Sequence, residues 1–156
     1  VDFDADGRAD LLWHNPSTGQ LFAWMMNGLR QVSGVSLTPS GVADRQWQVR
    51  GLADLNRDGS ADILWQHQGT GDLYAWFLSG LRSTWASYLS PSRVADTRWQ
   101  VRRVVDLNDD GRPDLLWHNQ ATGELYVWFL DGLSRVSASH LDPRSVPNTR
   151  WQLAPR

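Results

Sequence analysis

Short runs of alternating apolar and polar residues recur along the chain. Leu21, Ala23 and Met25 fall on one side of an extended segment and Phe22, Trp24 and Met26 on the other, so both faces are apolar. That pattern predicts a strand buried between two neighbours. Leu11 to Asn15 predicts a strand before it, with Pro16-Ser17-Thr18-Gly19 as the turn between, and Asn27-Gly28 predicts a tight hairpin after it. The next run, Gln31 to Leu37, alternates weakly, carries Ser33, Gly34 and Ser36, and ends at Pro39, as expected of an outer edge strand. A loop through Ala43-Asp44 leads into a fourth strand, Trp47 to Ala53. No segment sustains a helical period over two turns.

The whole arrangement repeats. Asp2, Asp54 and Asp106 stand 52 residues apart (54 − 2 and 106 − 54), and the chain aligns to itself at that period without a gap. Trp13, Trp65 and Trp117 match, as do Trp24, Trp76 and Trp128, Pro39, Pro91 and Pro143, and Trp47, Trp99 and Trp151. A fixed period of this length makes each repeat one structural unit that buries its apolar faces against the next. The expected fold class is all-β: one domain, 1–156, of three four-stranded repeats (2–53, 54–105 and 106–156) packed face to face as β-propeller blades. Most of the periodic tryptophans should therefore be core.

Composition sharpens this picture in two places. Ten of the 156 residues are Trp, and all fifteen basic residues are Arg. Both side chains favour stacked, planar contacts, which suits interfaces between repeats. Eleven of the seventeen acids (Asp2, Asp4, Asp6, Asp10, Asp54, Asp58, Asp62, Asp106, Asp109, Asp110 and Asp114) lie in three short loops, leaving twelve Arg against six acids elsewhere. Three divalent cations in those loops would move the formal charge from −2 to +4, too small and too scattered a surplus for a nucleic-acid surface. With no Cys there is no disulfide framework and no soft-metal site. No apolar run approaches membrane-spanning length.

The loops carry the chemistry. Asp54-Leu55-Asn56-Arg57-Asp58-Gly59-Ser60-Ala61-Asp62 and its two copies place short oxygen-bearing side chains at alternate positions 1, 3 and 5. Such side chains can converge on one hard cation, and the Gly that follows allows the turn that brings a backbone carbonyl and a further Asp round. Asx and Gly residues also crowd into ordinary turns, but three loops in register with four oxygen positions each exceed what a turn needs. An EF-hand requires a carboxylate at loop position 12 and flanking helices. Position 12 here is Trp13, Trp65 or Trp117, and the flanks are strand-like.

These motifs resemble the FG-GAP/VCBS-type repeats of calcium-binding β-propellers. The resemblance implies a ring of seven or eight blades in many relatives, with calcium in the turn between the first and second strands of each blade. It implies as ligands Asp2, Asp4, Asp6 and Asp10 with the Arg8 carbonyl, and Asp54, Asn56, Asp58 and Asp62 with Ser60. In the third loop it implies Asp106, Asn108, Asp110 and Asp114 with the Arg112 carbonyl. Hard oxygen donors without His or Cys point to calcium, and weak calcium sites fill outside the cytosol, so an extracellular or periplasmic setting is expected.

Trp85 breaks the repeat, standing where the others have Ser33 and Ser137 on the polar outer strand, and is the candidate for an exposed ligand contact. Since aromatic faces stack on sugar rings, glycans are the first ligand class for a non-enzymatic scaffold or recognition surface. The rival reading is a hydrolase using His14 or His118, but Gln66 occupies the same position in the second repeat. Hydrogen bonding at blade edges is the plainer role for these histidines. Three blades are too few to close a ring. A head-to-tail homodimer of six blades is therefore expected, with residues 151–156 completing the first blade of the partner; the alternative is a part of a longer propeller chain.

Overall fold

Alternating apolar residues between Gly and Asx turns give strands throughout, and the computed structural model describes residues 1–148, 150 and 151. Among these are eleven strands and no helix. Unit I contains β1 (Leu11–His14), β2 (Gln20–Asn27) and β3 (Arg30–Gly41). Unit II contains β4 (Trp47–Ala53), β5 (Asp62–His67), β6 (Asp72–Ser79) and β7 (Arg82–Arg93). Unit III contains β8 (Trp99–Val105), β9 (Asp114–Asn119), β10 (Glu124–Asp131) and β11 (Ser134–Ser145). Each unit is an antiparallel meander. Sheet and repeat are out of step by one strand, because the last strand of one repeat is the first of the next sheet. Unit I accordingly has three described strands, and β1 is paired on one side only.

The outer strand of each unit is longer than the sequence suggests. β3 runs past Pro39 to Gly41, where Gly41 pairs with Gln20, and β7 likewise pairs Arg93 with Asp72. Proline lacks an N–H, but an edge strand has a side that needs none. These outer strands also link the units through single parallel bridges, Thr38 to Arg82 and Ser90 to Ser134, with Thr38 N–H donating to Leu81 O at 2.9 Å and Ser90 N–H to Leu133 O at 2.8 Å.

Alternation along the strands of unit II sends side chains to both neighbours. Ile63, Trp65, Trp76 and Leu78 pack against Leu21, Ala23, Met25 and Leu37 of unit I. Leu64, Leu73, Ala75, Phe77 and Leu89 pack against Val101, Leu115, Trp117, Trp128 and Leu130 of unit III. The same tryptophan pair recurs in every unit, Trp13 with Trp24, Trp65 with Trp76 and Trp117 with Trp128, at centroid distances of 4.8, 5.1 and 4.9 Å. β4 and β8 face each other across the second seam, where a Cβ on Gly51 would collide with Val104. Gln66 stitches the same seam, donating to Trp99 O at 2.9 Å and accepting from Val101 N–H at 3.1 Å.

Not every periodic tryptophan is core. Trp65, Trp76, Trp117 and Trp128 are buried, Trp24, Trp47 and Trp99 are half-buried, and Trp13 and Trp151 are exposed. Position within the array decides this, since the exposed ones face no described neighbour. In β2 likewise Leu21, Ala23 and Met25 are buried while Phe22 is exposed, so the expectation of burial on both faces holds for unit II and not for unit I. The strand expected over 151–156 lies largely outside the described residues; Trp151 N–H donates to Asn148 O, the turn bond that Trp47 and Trp99 make to Asp44 O and Asp96 O.

Truncating Trp76, buried in the first seam, should cost about 3–5 kcal/mol. Trp85, on the outer strand and stacked on Phe77 at 4.8 Å, should cost about 1 kcal/mol on truncation to Ala. Denaturant unfolding of Trp76→Ala and Trp85→Ala tests the pair; equal losses would mean the seam is misplaced.

Candidate metal centre

Each Asp-rich loop precedes a second-strand position: residues 2–10 lead into β1, 54–62 join β4 to β5, and 106–114 join β8 to β9. Their backbones are alike. Position 4 (Ala5, Arg57, Asp109) has φ of 59 to 61° and position 6 (Gly7, Gly59, Gly111) has φ of 80 to 88°. Two left-handed residues so close together curl the chain tightly, and Gly is what makes the second inexpensive.

The side chains hold that curl from inside. At position 1, Asp2, Asp54 and Asp106 accept from the Gly N–H through Oδ2 at 2.8, 2.8 and 2.7 Å, and from the position-5 N–H through Oδ1 at 3.2, 3.0 and 3.2 Å. At position 3, Asp4, Asn56 and Asn108 accept from that same N–H through Oδ1 at 3.3, 3.1 and 3.3 Å. The two asparagines thus turn an oxygen inward and give their Nδ2 to Asp58 and Asp110. At position 5, Asp6, Asp58 and Asp110 accept from the N–H of Arg8, Ser60 and Arg112.

The position-9 carboxylate does something the sequence did not disclose. Asp10, Asp62 and Asp114 are buried and accept two backbone donors each. Oδ2 takes the N–H of Phe3, Leu55 and Leu107 at 2.8, 2.9 and 3.0 Å; Oδ1 takes that of Met26, Leu78 and Leu130 at 2.9, 3.0 and 3.1 Å. The second set sits at register breaks, Met25/Met26, Phe77/Leu78 and Phe129/Leu130. A bulge there takes the N–H out of the ladder, and the Asp supplies the acceptor a buried donor requires. The residue therefore clamps the loop to the far end of β2, β6 or β10, apart from any ion.

Charge in the loops is unevenly balanced. Arg8 Nη1 lies 2.6 Å from Asp6 Oδ2 and holds that carboxyl below the usual range. Hydrogen bonding from Asn56 and then Ser60 does the same for Asp58. Burial pushes Asp62 and Asp114 up, and the neighbouring charges, Asp58 and Asp54 or Asp110 and Asp106, push in the same direction. In the first loop, carboxylate oxygens of Asp2, Asp4 and Asp10 lie within 4.8 Å of one another. Oxygen donors this close, without nitrogen or sulfur, suit a hard cation of calcium size. Asp2, Asp4, Asp6 and Asp10, and their counterparts, would hold it, and Arg8, Ser60 and Arg112 would contribute their backbone carbonyls at position 7.

The family model for the FG-GAP-like repeat matches residues 2–65 and again 54–117. This chain belongs to the FG-GAP-like repeat family. No curated protein and no solved structure matches it. Each match runs from one Asp-rich loop through four strands and the next loop to the tryptophan beyond it, so the two overlap across 54–65, in keeping with the offset between sheet and repeat.

Trp85 stands exposed on β7, as its repeat position suggested. His14 sits on β1, which is paired on one side only, whereas His118 sits on β9 between two partner strands. His118 is buried on β9, with Gln120 Nε2 at 3.1 Å from Nδ1, at the position from which Gln66 bonds across to β8. Burial lowers the pKa of His14 and His118, and the Arg102 charge lowers that of His118 further. His67, absent from the candidate set, instead pairs with Asp44 at 3.0 Å.

Two outcomes follow from this geometry. In EDTA, Asp62→Asn should lose about 1–3 kcal/mol, because an amide nitrogen cannot accept one of the two N–H groups, whereas exposed Asp58→Asn should stay within about 0.5 kcal/mol of the parent. Denaturant midpoints report both. A lowered histidine pKa adds stability that is complete above the unfolded value near 6.5 and is lost as pH falls toward the folded one. His118→Gln, which installs the residue found in unit II, should flatten thermal stability between about pH 7 and 5; an unchanged slope would remove His118 from the account.

Proposed function

We propose that the chain is a calcium-stabilised, non-enzymatic module of β-propeller blades that presents a recognition surface outside the cytosol. The observation that carries the reading is the hydrogen-bonded frame shared by all three loops, which in the first brings carboxylate oxygens of Asp2, Asp4 and Asp10 within 4.8 Å of one another. Bound calcium would neutralise the clustered carboxylates and lock the loop that joins successive strands, a structural role. Sites built from exposed loops bind weakly and fill where free calcium is high, which favours an extracellular or periplasmic setting.

The histidine positions support a scaffold over a hydrolase, since Gln66 fills in unit II the place of His14 and His118. For recognition, the exposed face of Trp85 offers a flat aromatic platform of the kind sugars stack on. A glycan array, followed by equilibrium binding of any hit to Trp85→Ala, tests that part; retention of full affinity would remove Trp85 from the site.

The metal reading predicts stabilisation of about 2.7 kcal/mol per site at free calcium a hundredfold above Kd. Melting curves in calcium and in EDTA should differ by several degrees, and superimposable curves would refute occupied structural sites.

A further inference from the structure

The connection that leads into an inner strand and the unit which that strand opens enclose a cleft between them, and the cleft occurs twice. At the first seam it has a volume of about 360 Å³ and is lined by Asp44, Trp47, Trp65, Tyr74, Trp76 and Tyr88. At the second it has about 320 Å³ and is lined by Trp99, Trp117, Tyr126, Trp128, Arg135 and His140. Five positions correspond across one repeat: Trp47 and Trp99, Trp65 and Trp117, Tyr74 and Tyr126, Trp76 and Trp128, and Tyr88 and His140. The walls come from the unit itself and the connection before it, so both clefts are complete within the described residues.

Aromatic rings and a few polar atoms make up the surface. In the first cleft Tyr74 lies 6.0 Å from Trp47 and 4.7 Å from Tyr88, and in the second Tyr126 lies 6.2 Å from Trp99 and 4.7 Å from His140. The same three-ring wall is thus kept although its third ring changes from phenol to imidazole. Trp65 and Trp117, each 1% exposed, carry an indole Nε1–H that has no hydrogen-bond partner among the described residues. An indole nitrogen is a donor only, and a buried donor without an acceptor is costly. Both copies share the feature, so it belongs to the repeat and not to one local accident of packing. His140 Nδ1 is likewise buried and unpartnered. At the mouth of the first cleft Tyr88 is 53% exposed, and the N–H of Gln46 and then His67 hold the Asp44 carboxyl below its usual range.

We propose that each seam cleft binds one pyranose ring of a neutral glycan. The inference rests on the reading of the module as a sugar-recognising surface, and it places the site at the seams instead of at Trp85. A pyranose joins an apolar C–H face to a rim of hydroxyls, each both donor and acceptor. Its C–H face matches the three-ring wall. Its oxygens supply the acceptor that Trp65 or Trp117 lacks, and in the first cleft a hydroxyl hydrogen finds the Asp44 carboxylate. A wholly apolar ligand would leave the indole N–H unpaired, and an anionic one would meet the Asp44 charge. Mostly aromatic walls, a few convergent polar groups and volumes of this order are the usual make-up of a small-ligand site.

The probes are the methyl glycosides of glucose, galactose, mannose and N-acetylglucosamine, titrated into the full chain in calcium. Two-dimensional proton–nitrogen spectra follow the indole N–H signals, and those of Trp65 and Trp117 should shift and saturate with the favoured glycoside. Tyr88→Ala, and Ala43→Arg, which adds bulk at an exposed position lining the first cleft, should each weaken binding there at least ~10-fold, about 1.4 kcal/mol. Both should leave the Trp117 response intact. His140→Ala should do the converse, acting on the second cleft alone. With two variants for the first cleft, one that fails to fold leaves the test standing. Glycosides that move neither indole signal would overturn the clefts. Wild-type affinity in all three variants, with binding lost in Trp85→Ala, would also overturn them while sugar recognition itself stood.

Discussion

A small sheet that is apolar on both faces has to be sandwiched, and most of this architecture answers that constraint. Removing about 25 cal/mol per Å² of apolar surface from water is the main favourable term available to such sheets, and unit II collects it twice. Its alternate residues, Trp65 and Trp76 on one side and Leu64 and Phe77 on the other, enter different cores. Tight approach of β4 to β8 then requires a residue without a Cβ at position 51, and Gln66 satisfies polar backbone at the same seam.

Against this packing, the loops solve a different problem. A chain leaving an inner strand must reverse within a few residues while its N–H groups find acceptors. Asp at positions 1, 5 and 9 and Asp or Asn at position 3 provide them, and in the first loop oxygens of Asp2, Asp4 and Asp10 end within 4.8 Å of one another. The position-9 Asp joins the two tasks, since one of its oxygens belongs to the loop and the other to the bulged end of β2, β6 or β10.

Much of this could be read in the sequence because the information was local and repeated. Alternation gave the strands, Asn27-Gly28 gave a hairpin, and the ungapped period placed matching tryptophans on matching strands. The bulge at Phe77/Leu78 was hidden, for no residue type announces an N–H taken out of its ladder sixteen residues from the carboxylate that accepts it. The continuation of β3 beyond Pro39 was masked by proline's usual role as a stop. Exposure of Trp13 and Leu107 was beyond reach of a pattern that treats every repeat as equivalent, because burial depends on which neighbour is present.

Identical units joined only by nearest-neighbour seams also make the chain a one-dimensional system. In such arrays, stability is a sum of unit and interface contributions, and each internal unit draws on two interfaces where a terminal one draws on one. Unit II is therefore the thermodynamic centre of the described array. Opening one seam should then leave the units beyond it folded, and a single unfolding free energy would describe this array less well than a sum over units and seams.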